Sequence, residues 1–206
     1  MQSLNYRNFF IAVTISLLLG LLLIILSFAI GKNNFFLLLN ADLGIAADYF
    51  FSVWTDAGDG LLWIFVLLII FVMKRKDLLP LIISAFIFTT IFTQICKYVI
   101  VPDEARPWKA ISNHLLIHHV SFVEPLLISS FPSGHTATAF TFYLLFCLII
   151  SKNWWLAAGL LYGLLVGYSR IYLAQHFPLD VGAGIITGVA SVSLSLLVQL
   201  WWMKKR

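Results

Sequence analysis

The fold class is decided by a continuous apolar stretch near the start of the chain. Residues 9–30 read FFIAVTISLLLGLLLIILSFAI and contain no charged side chain. At about 1.5 Å per helical residue, roughly 20 apolar residues cross the ~30 Å hydrocarbon core of a bilayer. The stretch is longer than the ~7–15 residues of a signal-peptide core, so we predict an uncleaved transmembrane helix.

The composition of the whole chain is also typical of a membrane protein. Of 206 residues, 61% are hydrophobic and 11% are charged, whereas soluble domains are about 25% charged. We predict an all-α, polytopic membrane bundle of six transmembrane helices, with residues 1–206 forming a single domain. Beyond the first, the expected spans cover residues 56–73, 78–101, 133–150, 155–172 and 180–202.

An interfacial helix is expected between the first two spans, over residues 35–54. Asn40, Asp42 and Asp48 interrupt its apolar residues, and a group of aromatic residues follows. Aromatic side chains prefer the headgroup level of a bilayer, so this element is expected to lie along the membrane surface.

The distribution of positive charge predicts the orientation. The net charge is +4, but most of the basic residues flank hydrophobic runs, which is typical of cytoplasmic loops and not of a nucleic-acid-binding face. With the N-terminus inside, the inner segments hold Arg7, Lys74, Arg75, Lys76, Lys152, Lys204, Lys205 and Arg206. The outer segments hold Lys32, Lys97, Arg106, Lys109 and Arg170. The inner segments thus hold eight basic residues and the outer segments five, so both termini are predicted to lie inside. No nucleic-acid partner is expected.

Glycines recur at four-residue spacing in the fifth predicted span, at Gly159, Gly163 and Gly167. Small residues on one helix face let backbones approach closely. The stripe fits either a dimer face or packing within the bundle, and packing is favoured because six helices make many internal contacts. No oligomer is required.

Polar residues that are unusual in a membrane segment fall at the same end of four predicted spans. They end or follow spans three and five, and they open spans four and six. Because neighbouring spans alternate in direction, all of these residues reach the outer face. They are Lys97, Arg106, Ser133, Gly134, His135, Arg170, His176 and Asp180.

The cations in this set predict an anion-binding site. Lys97, Arg106 and Arg170 would repel one another at a membrane boundary unless an anion joined them. The guanidinium fork matches phosphate oxygens, and the helix N-terminus at Ser133 adds free N–H groups. Gly134 would let that backbone approach the anion closely.

The remaining members of the set predict catalysis on that anion. One histidine can attack phosphorus while a second moves the proton between leaving group and water. A carboxylate can orient the attacking imidazole. His176 and Asp180 are four residues apart, but Pro178 lies between them, so His176 is expected in the turn before the sixth span.

These residues also carry a resemblance to a known family. FPSGH at residues 131–135, and Ser169-Arg170 followed by His176 and Asp180, resemble two motifs of the type 2 phosphatidic acid phosphatase family. Lys97 with Arg106-Pro107 resembles the third, although eight residues separate Lys97 from Arg106 where the family usually has six. The motif region covers residues 97–180.

The resemblance implies metal-independent hydrolysis of a phosphomonoester or diphosphate through a phosphohistidine, without a cofactor. It assigns His176 as the nucleophile, Asp180 as its partner, and His135 as general acid and then base. The residues that it assigns to phosphate binding are Lys97, Arg106, Ser133, Gly134 and Arg170.

A site at the bilayer edge favours a lipid phosphate as substrate, with membrane lipids as the other partners. The candidates are undecaprenyl diphosphate, which we favour, phosphatidylglycerol phosphate, phosphatidic acid and lipid A phosphate. Transfer of phosphate to a lipid acceptor is an alternative. A transporter is disfavoured, since its charges would be spread through the membrane depth. The expected location is a bacterial inner membrane, with the site facing the periplasm.

Two further groups of polar residues are open to more than one interpretation. His114, His118 and His119 in the outer loop could bind a metal, but no cysteine accompanies them, and polar interfacial residues are the favoured interpretation. Asp56 and Asp59 are expected to cap the second span. A catalytic role for them is less expected, because a further anion beside phosphate would be unfavourable.

Overall fold

The computed structural model describes residues 4–205, and within them every regular element is helical, which confirms the predicted all-α class. The helices are α1 (Tyr6–Ile30), α2 (Lys32–Leu39), α3 (Ile45–Trp54), α4 (Leu62–Val72), α5 (Leu79–Ile95), α6 (Pro107–Ala110), α7 (Gly134–Ile149), α8 (Trp154–Tyr172) and α9 (Pro178–Lys204). Tight 3-10 turns lie at Thr55–Gly58, Lys76–Leu78 and His114–Leu116, and a π-helical turn lies at Cys96–Ile100. Arg206, counted among the inner charges, lies outside the described residues.

Several of these helices have the length and composition of membrane spans. Tyr6–Ile30, Lys76–Ile100 and Pro178–Lys204 are long and apolar enough to cross a bilayer. Ile45–Gly58 and Leu62–Val72 would add a fourth span if taken as one unit, although they are bent by 58°. α7 is a shorter apolar helix of 16 residues. The chain is thus an integral membrane protein.

The single helix predicted over residues 35–54 is two helices, α2 and α3, separated by a turn. The Asn40 side chain donates to the carbonyls of Ile171 and Tyr172 at 3.0 and 2.9 Å. Asp42 Oδ1 accepts the Gly44 N–H at 2.8 Å. Gly44 has a φ of 86°, in the left-handed region where glycine is unstrained. These contacts stabilise a turn where the sequence suggested a continuous helix.

The second predicted span also begins differently. Its first residues form the 3-10 turn at Thr55–Gly58, and α4 starts only at Leu62. Asp59 is extended, with φ −70° and ψ 145°, and its Oδ1 accepts the Leu61 N–H at 2.7 Å. Asp59 thus ends the 3-10 turn and bonds the residue that precedes α4, whereas Leu61 is the N-cap of α4 and no side chain caps that helix, so the predicted capping by Asp56 and Asp59 is wrong.

α7 is the central helix of the bundle, and 12 of its 16 residues are buried. It packs against α1, α5, α8 and α9. The approach of α9 is especially close, because a Cβ on Gly184 would lie 2.6 Å from the Ser133 carbonyl oxygen. One turn later, a Cβ on Gly188 would lie 3.1 Å from the Ala137 carbonyl oxygen. α7 and α9 therefore run side by side from a shared starting end.

The glycine stripe of α8 faces the inside of the bundle. A Cβ at its three positions would meet Tyr143 and Phe140 of α7 and Val181 of α9, in that order, at 2.7, 3.1 and 3.2 Å. These contacts support the packing interpretation of the stripe over a dimer face.

Candidate active site

The predicted nucleophile and its carboxylate partner lie together at the end of the bundle where α7 and α9 begin. His176 is in the turn between α8 and α9, as predicted, and Asp180 is in the first turn of α9. His176 Nδ1 is 3.5 Å from Asp180 Oδ2, and the two side chains are 2% and 0% exposed. A buried carboxylate this close can orient the imidazole and stabilise positive charge on it.

Asp180 is itself held by two donors. Its Oδ2 accepts the Ser130 hydroxyl at 2.5 Å and the Phe177 N–H at 2.9 Å. Ser130 could not be predicted from the sequence, because a lone serine two positions before Pro132 carries no motif of its own. The backbone of Asp180 also joins α9 to α7, since its carbonyl accepts the Ser133 N–H at 2.9 Å.

Arg106 lies on the other side of the His176 ring. Its Nη1 is 3.1 Å from His176 Nε2 and also donates to the Gln175 carbonyl at 2.8 Å. Nε and Nη2 donate to the carbonyls of Ile128 and Ser129 at 2.8 and 3.2 Å. These backbone acceptors hold the guanidinium in one orientation beside the imidazole.

This contact determines which nitrogen of His176 carries the proton. A guanidinium has donors only, so Nε2 facing Arg106 must be the unprotonated nitrogen. The proton of the neutral ring is then on Nδ1, the atom that faces Asp180. A histidine in this tautomer can attack phosphorus through Nε2 while Asp180 stabilises the charge that develops on the ring.

The surroundings of His176 keep the ring neutral. Burial lowers the pKa of His176 well below its usual value of about 6.5, and nearby positive charges lower it further. The groups that contribute are Arg106, Arg170, Lys97 and His135. Their effect on one ring shows that the cations of all three predicted motifs lie within electrostatic range of the nucleophile. Burial also lowers the pKa of Arg106, against the opposing charge of Asp180.

The other two predicted phosphate-binding cations come from different helices. Arg170, near the end of α8, is buried and donates through Nη1 to the Thr55 hydroxyl at 2.5 Å, while its Nε has no partner among the described atoms. Lys97 is half-buried in the π-helical turn after α5. Thr55 precedes the second predicted span and was not singled out from the sequence, because isolated threonines are common in membrane helices.

Ser133, Gly134 and His135 form the N-terminus of α7. Ser133 is the N-cap, and its hydroxyl is engaged with its own helix, 3.4 Å from the Thr136 N–H and 2.8 Å from the Thr136 hydroxyl. Nothing lies within 4 Å of a Cβ built on Gly134, so the backbone there borders open space. His135 is half-buried beside a cavity of about 300 Å³ between α4, α5 and α7.

The loop histidines do not join this cluster of side chains. His118 Nε2 is 3.0 Å from Asp48 Oδ1, which also accepts the Tyr172 hydroxyl at 2.6 Å. Together with Asp42 this is the one group of possible metal ligands found among residues 4–205, with ligand atoms within 4.8 Å of one another. Its hydrogen bonds connect α3 and the loop to α8. His114 stacks on Trp108 at 4.2 Å and His119 lies against the same ring.

Comparison with known proteins identifies the family. The model of the PAP2 superfamily matches residues 77–204, which include all eight predicted site residues. The chain belongs to the PAP2 superfamily. The resemblance seen in the three motifs is thereby confirmed.

Named relatives and a solved structure agree with this membership. The chain is 33% identical to the undecaprenyl-diphosphatase of Sulfolobus acidocaldarius over 65% of its own length, and 33% identical to undecaprenyl-diphosphatase BcrC of Bacillus subtilis over 42%. These matches span 60% and 40% of the two relatives. The crystal structure of Aquifex aeolicus LpxE superposes with a TM-score of 0.68 at 31% identity, covering 79% of this chain and 92% of LpxE.

Proposed function

We propose that this PAP2 protein hydrolyses the phosphate or diphosphate of a membrane lipid through a phosphohistidine on His176. One observation carries the proposal. His176 is buried and neutral, with Nε2 beside Arg106 and Nδ1 facing Asp180. That arrangement suits a nucleophile for an anionic phosphoryl group held by cations.

Each site residue has a role in the proposed reaction. Lys97, Arg106, Arg170 and the start of α7 at Ser133 and Gly134 bind the phosphate. His176 Nε2 attacks phosphorus as the bond to the leaving oxygen breaks, and His135 donates a proton to that oxygen. A water then attacks the phosphohistidine, His135 accepts its proton, and inorganic phosphate leaves. This is general acid catalysis followed by general base catalysis by one group.

The proposed substrate is undecaprenyl diphosphate. Support comes from two relatives that bear this activity in their names, and from a site at the end of apolar helices, where the headgroup of a lipid would lie. The same phosphate chemistry would serve phosphatidylglycerol phosphate, phosphatidic acid or lipid A phosphate. Their tails and leaving groups differ, and the assay below compares them directly.

We propose six transmembrane spans, formed by α1, the 3-10 turn at Thr55–Gly58 together with α4, α5, α7, α8 and α9, with α2 and α3 at the interface. The site would face the periplasm from a bacterial inner membrane, and residues 1–206 would act as one domain. The count of basic residues supports this orientation.

The test is release of inorganic phosphate from each of the four lipids by the full chain in detergent. The wild type should release phosphate, fastest from undecaprenyl diphosphate, and His176→Asn should not. Activity should survive EDTA, since cations and a helix terminus already neutralise the phosphate, and vanadate should inhibit by mimicking five-coordinate phosphorus. Loss of activity on chelation, with recovery on adding Zn²⁺ or Mg²⁺, would contradict the metal-independent mechanism. Labelled phosphate appearing in a second lipid instead of in solution would indicate a phosphotransferase.

A further inference from the structure

The 3-10 turn after α3 and the residues that follow it form a wall of the active site. Gly58 packs directly on His135, because a Cβ there would lie 2.9 Å from the His135 carbonyl oxygen and 2.5 Å from Val166. The Tyr162 hydroxyl donates to the Ala57 carbonyl at 2.6 Å. α7 and α8 therefore fix the position of this segment against the proposed general acid.

Asp59 uses its two carboxylate oxygens differently. Oδ1 accepts the Leu61 N–H at 2.7 Å, which anchors the carboxylate at the start of α4. Oδ2 faces the active site and lies 3.9 Å from His135 Nε2. The side chains of His135 and Asp59 are 30% and 43% exposed. The anchor leaves one oxygen free to act on the imidazole.

The charges around His135 show why a carboxylate matters there. The charged groups that act on this ring include the cations Arg170 from α8, Lys97 after α5 and Arg106 from the loop. These cations would oppose a proton on His135, yet a general acid must carry one. Asp59 is the carboxylate that attracts it.

From this geometry, and resting on the proposed function, we infer that Asp59 is a positioning residue for His135. Its carboxylate orients the imidazole and stabilises the protonated ring, so that His135 can give its proton to the leaving oxygen. Asp59 itself exchanges no proton with the substrate.

The test measures phosphoenzyme formation in a single turnover by Asp59→Asn, which keeps an oxygen able to accept the Leu61 N–H and removes the charge. With a lipid monoester, which needs the acid, the rate should fall about tenfold or more. With a diphosphate lipid the fall should be small. Asp59→Glu, which restores a carboxylate, should recover part of the monoester rate. Asp56→Asn is the matched control: like Asp59 it acts on Arg170, but it forms no ion pair with His135, so any loss should be small and equal on the two substrates.

A double mutant separates action through His135 from a general structural effect. In a His135→Ala background, Asp59→Asn should cost nothing further, since the group through which Asp59 acts is gone. Independent, multiplying losses would overturn the inference, and so would equal losses on both substrates or an Asp59→Asn rate equal to that of Asp56→Asn. A wild-type protein that forms no phosphoenzyme on any lipid phosphate would instead overturn the proposed function, and this inference with it.

Discussion

His176 illustrates how one side chain gains its chemistry from buried neighbours. In water a histidine is about half protonated near pH 6.5 and presents either nitrogen. Here burial and nearby cations keep the ring neutral, and Arg106 selects the tautomer with an unprotonated Nε2. The cost of holding these cations together falls when a phosphate binds, since the anion neutralises them. Binding of the proposed substrate would therefore relieve the repulsion among these cations.

The lowered pKa of His176 predicts a dependence of stability on pH. Above about pH 6.5 the ring is neutral in both the folded and the unfolded chain. As the pH falls below that value, the unfolded chain binds a proton that the folded protein does not, so the free energy of unfolding decreases by up to about 1.4 kcal/mol per pH unit. His176→Asn removes this contribution. Thermal unfolding in detergent at pH 7 and pH 5 should show a smaller drop for the variant, and equal drops would contradict the prediction.

The leaving group tests the proposed role of His135. Expelling a lipid alcohol from a monoester requires a proton, because an alkoxide leaves poorly. A lipid monophosphate needs much less help, since its last proton has a pKa of about 6. His135→Ala should therefore slow phosphoenzyme formation about 10²–10⁴-fold on a monoester and much less on a diphosphate. His176→Ala should abolish the step on both.

That comparison is made in a single turnover, because the later role of His135 in activating water would blur steady-state rates. Equal losses on the two substrates would mean that His135 is not the acid. Phosphoenzyme formed by His176→Ala would remove His176 as the nucleophile.

At the scale of elements, the contact between α7 and α9 aligns the site. Ser133, the N-cap of α7, donates to the carbonyl of Asp180, so the proposed phosphate-binding helix terminus and the start of α9 are fixed to each other. Gly184 permits this, because only a hydrogen at its Cα leaves room for the Ser133 carbonyl oxygen. The two helices meet through backbone atoms, which cannot move aside as a side chain can.

Gly184→Ala should therefore be destabilising out of proportion to its one added methyl group. The new Cβ would lie 2.6 Å from the Ser133 carbonyl oxygen, and overpacking of this kind costs about 1–3 kcal/mol. Gly60→Ala is the matched control, since nothing lies within 4 Å of a Cβ at that position. Thermal unfolding in detergent should show a clear loss for the first variant and little for the second. Similar stabilities would mean that α9 can shift away from α7 at no cost.

At the scale of the whole molecule, the two ends of the bundle differ in chemistry. The site lies at the end of the bundle where α7 and α9 begin. At the opposite end, hydrogen bonds join segments that are distant in the sequence. There Asn5 donates to the Leu148 carbonyl at 2.7 Å, and Gln199 donates to the Asp77 carbonyl at 2.9 Å. Residue 5, the end of α7, the start of α5 and the end of α9 thus share one end. Most of the basic residues that do not belong to the site lie near these positions.

This arrangement predicts the topology in the cell. Reporters fused after Arg75 and at the C-terminus should remain cytoplasmic, because positive flanks are retained inside. A reporter within residues 102–131 should be exported, since that loop carries Arg106 at the opposite end of the bundle. Paired reporters that are active only in the cytoplasm or only outside it would measure each position. A cytoplasmic loop would place the site on the inner face and contradict the periplasmic assignment.

The sequence by itself determined that the chain is an all-α membrane protein and that its candidate site residues lie at one end of the helices. Apolar length decides which segments are helical in a membrane, because backbone groups there must bond within their own segment. The alternating direction of those helices then brings Lys97, His135, Arg170 and His176 to one end. Both inferences need only local composition and chain order.

The tertiary structure alone decided how these residues are held and which others join them. Ser130, Thr55 and Asp59 stand outside the motifs, and their contacts with Asp180, Arg170 and His135 lie 50 or more residues away in the chain. The break between α2 and α3 likewise depends on Asn40 reaching the end of α8. The local pattern of apolar and polar residues indicates whether a segment lies in lipid or in water. Hydrogen bonds between distant residues, in contrast, form only when the helices pack together.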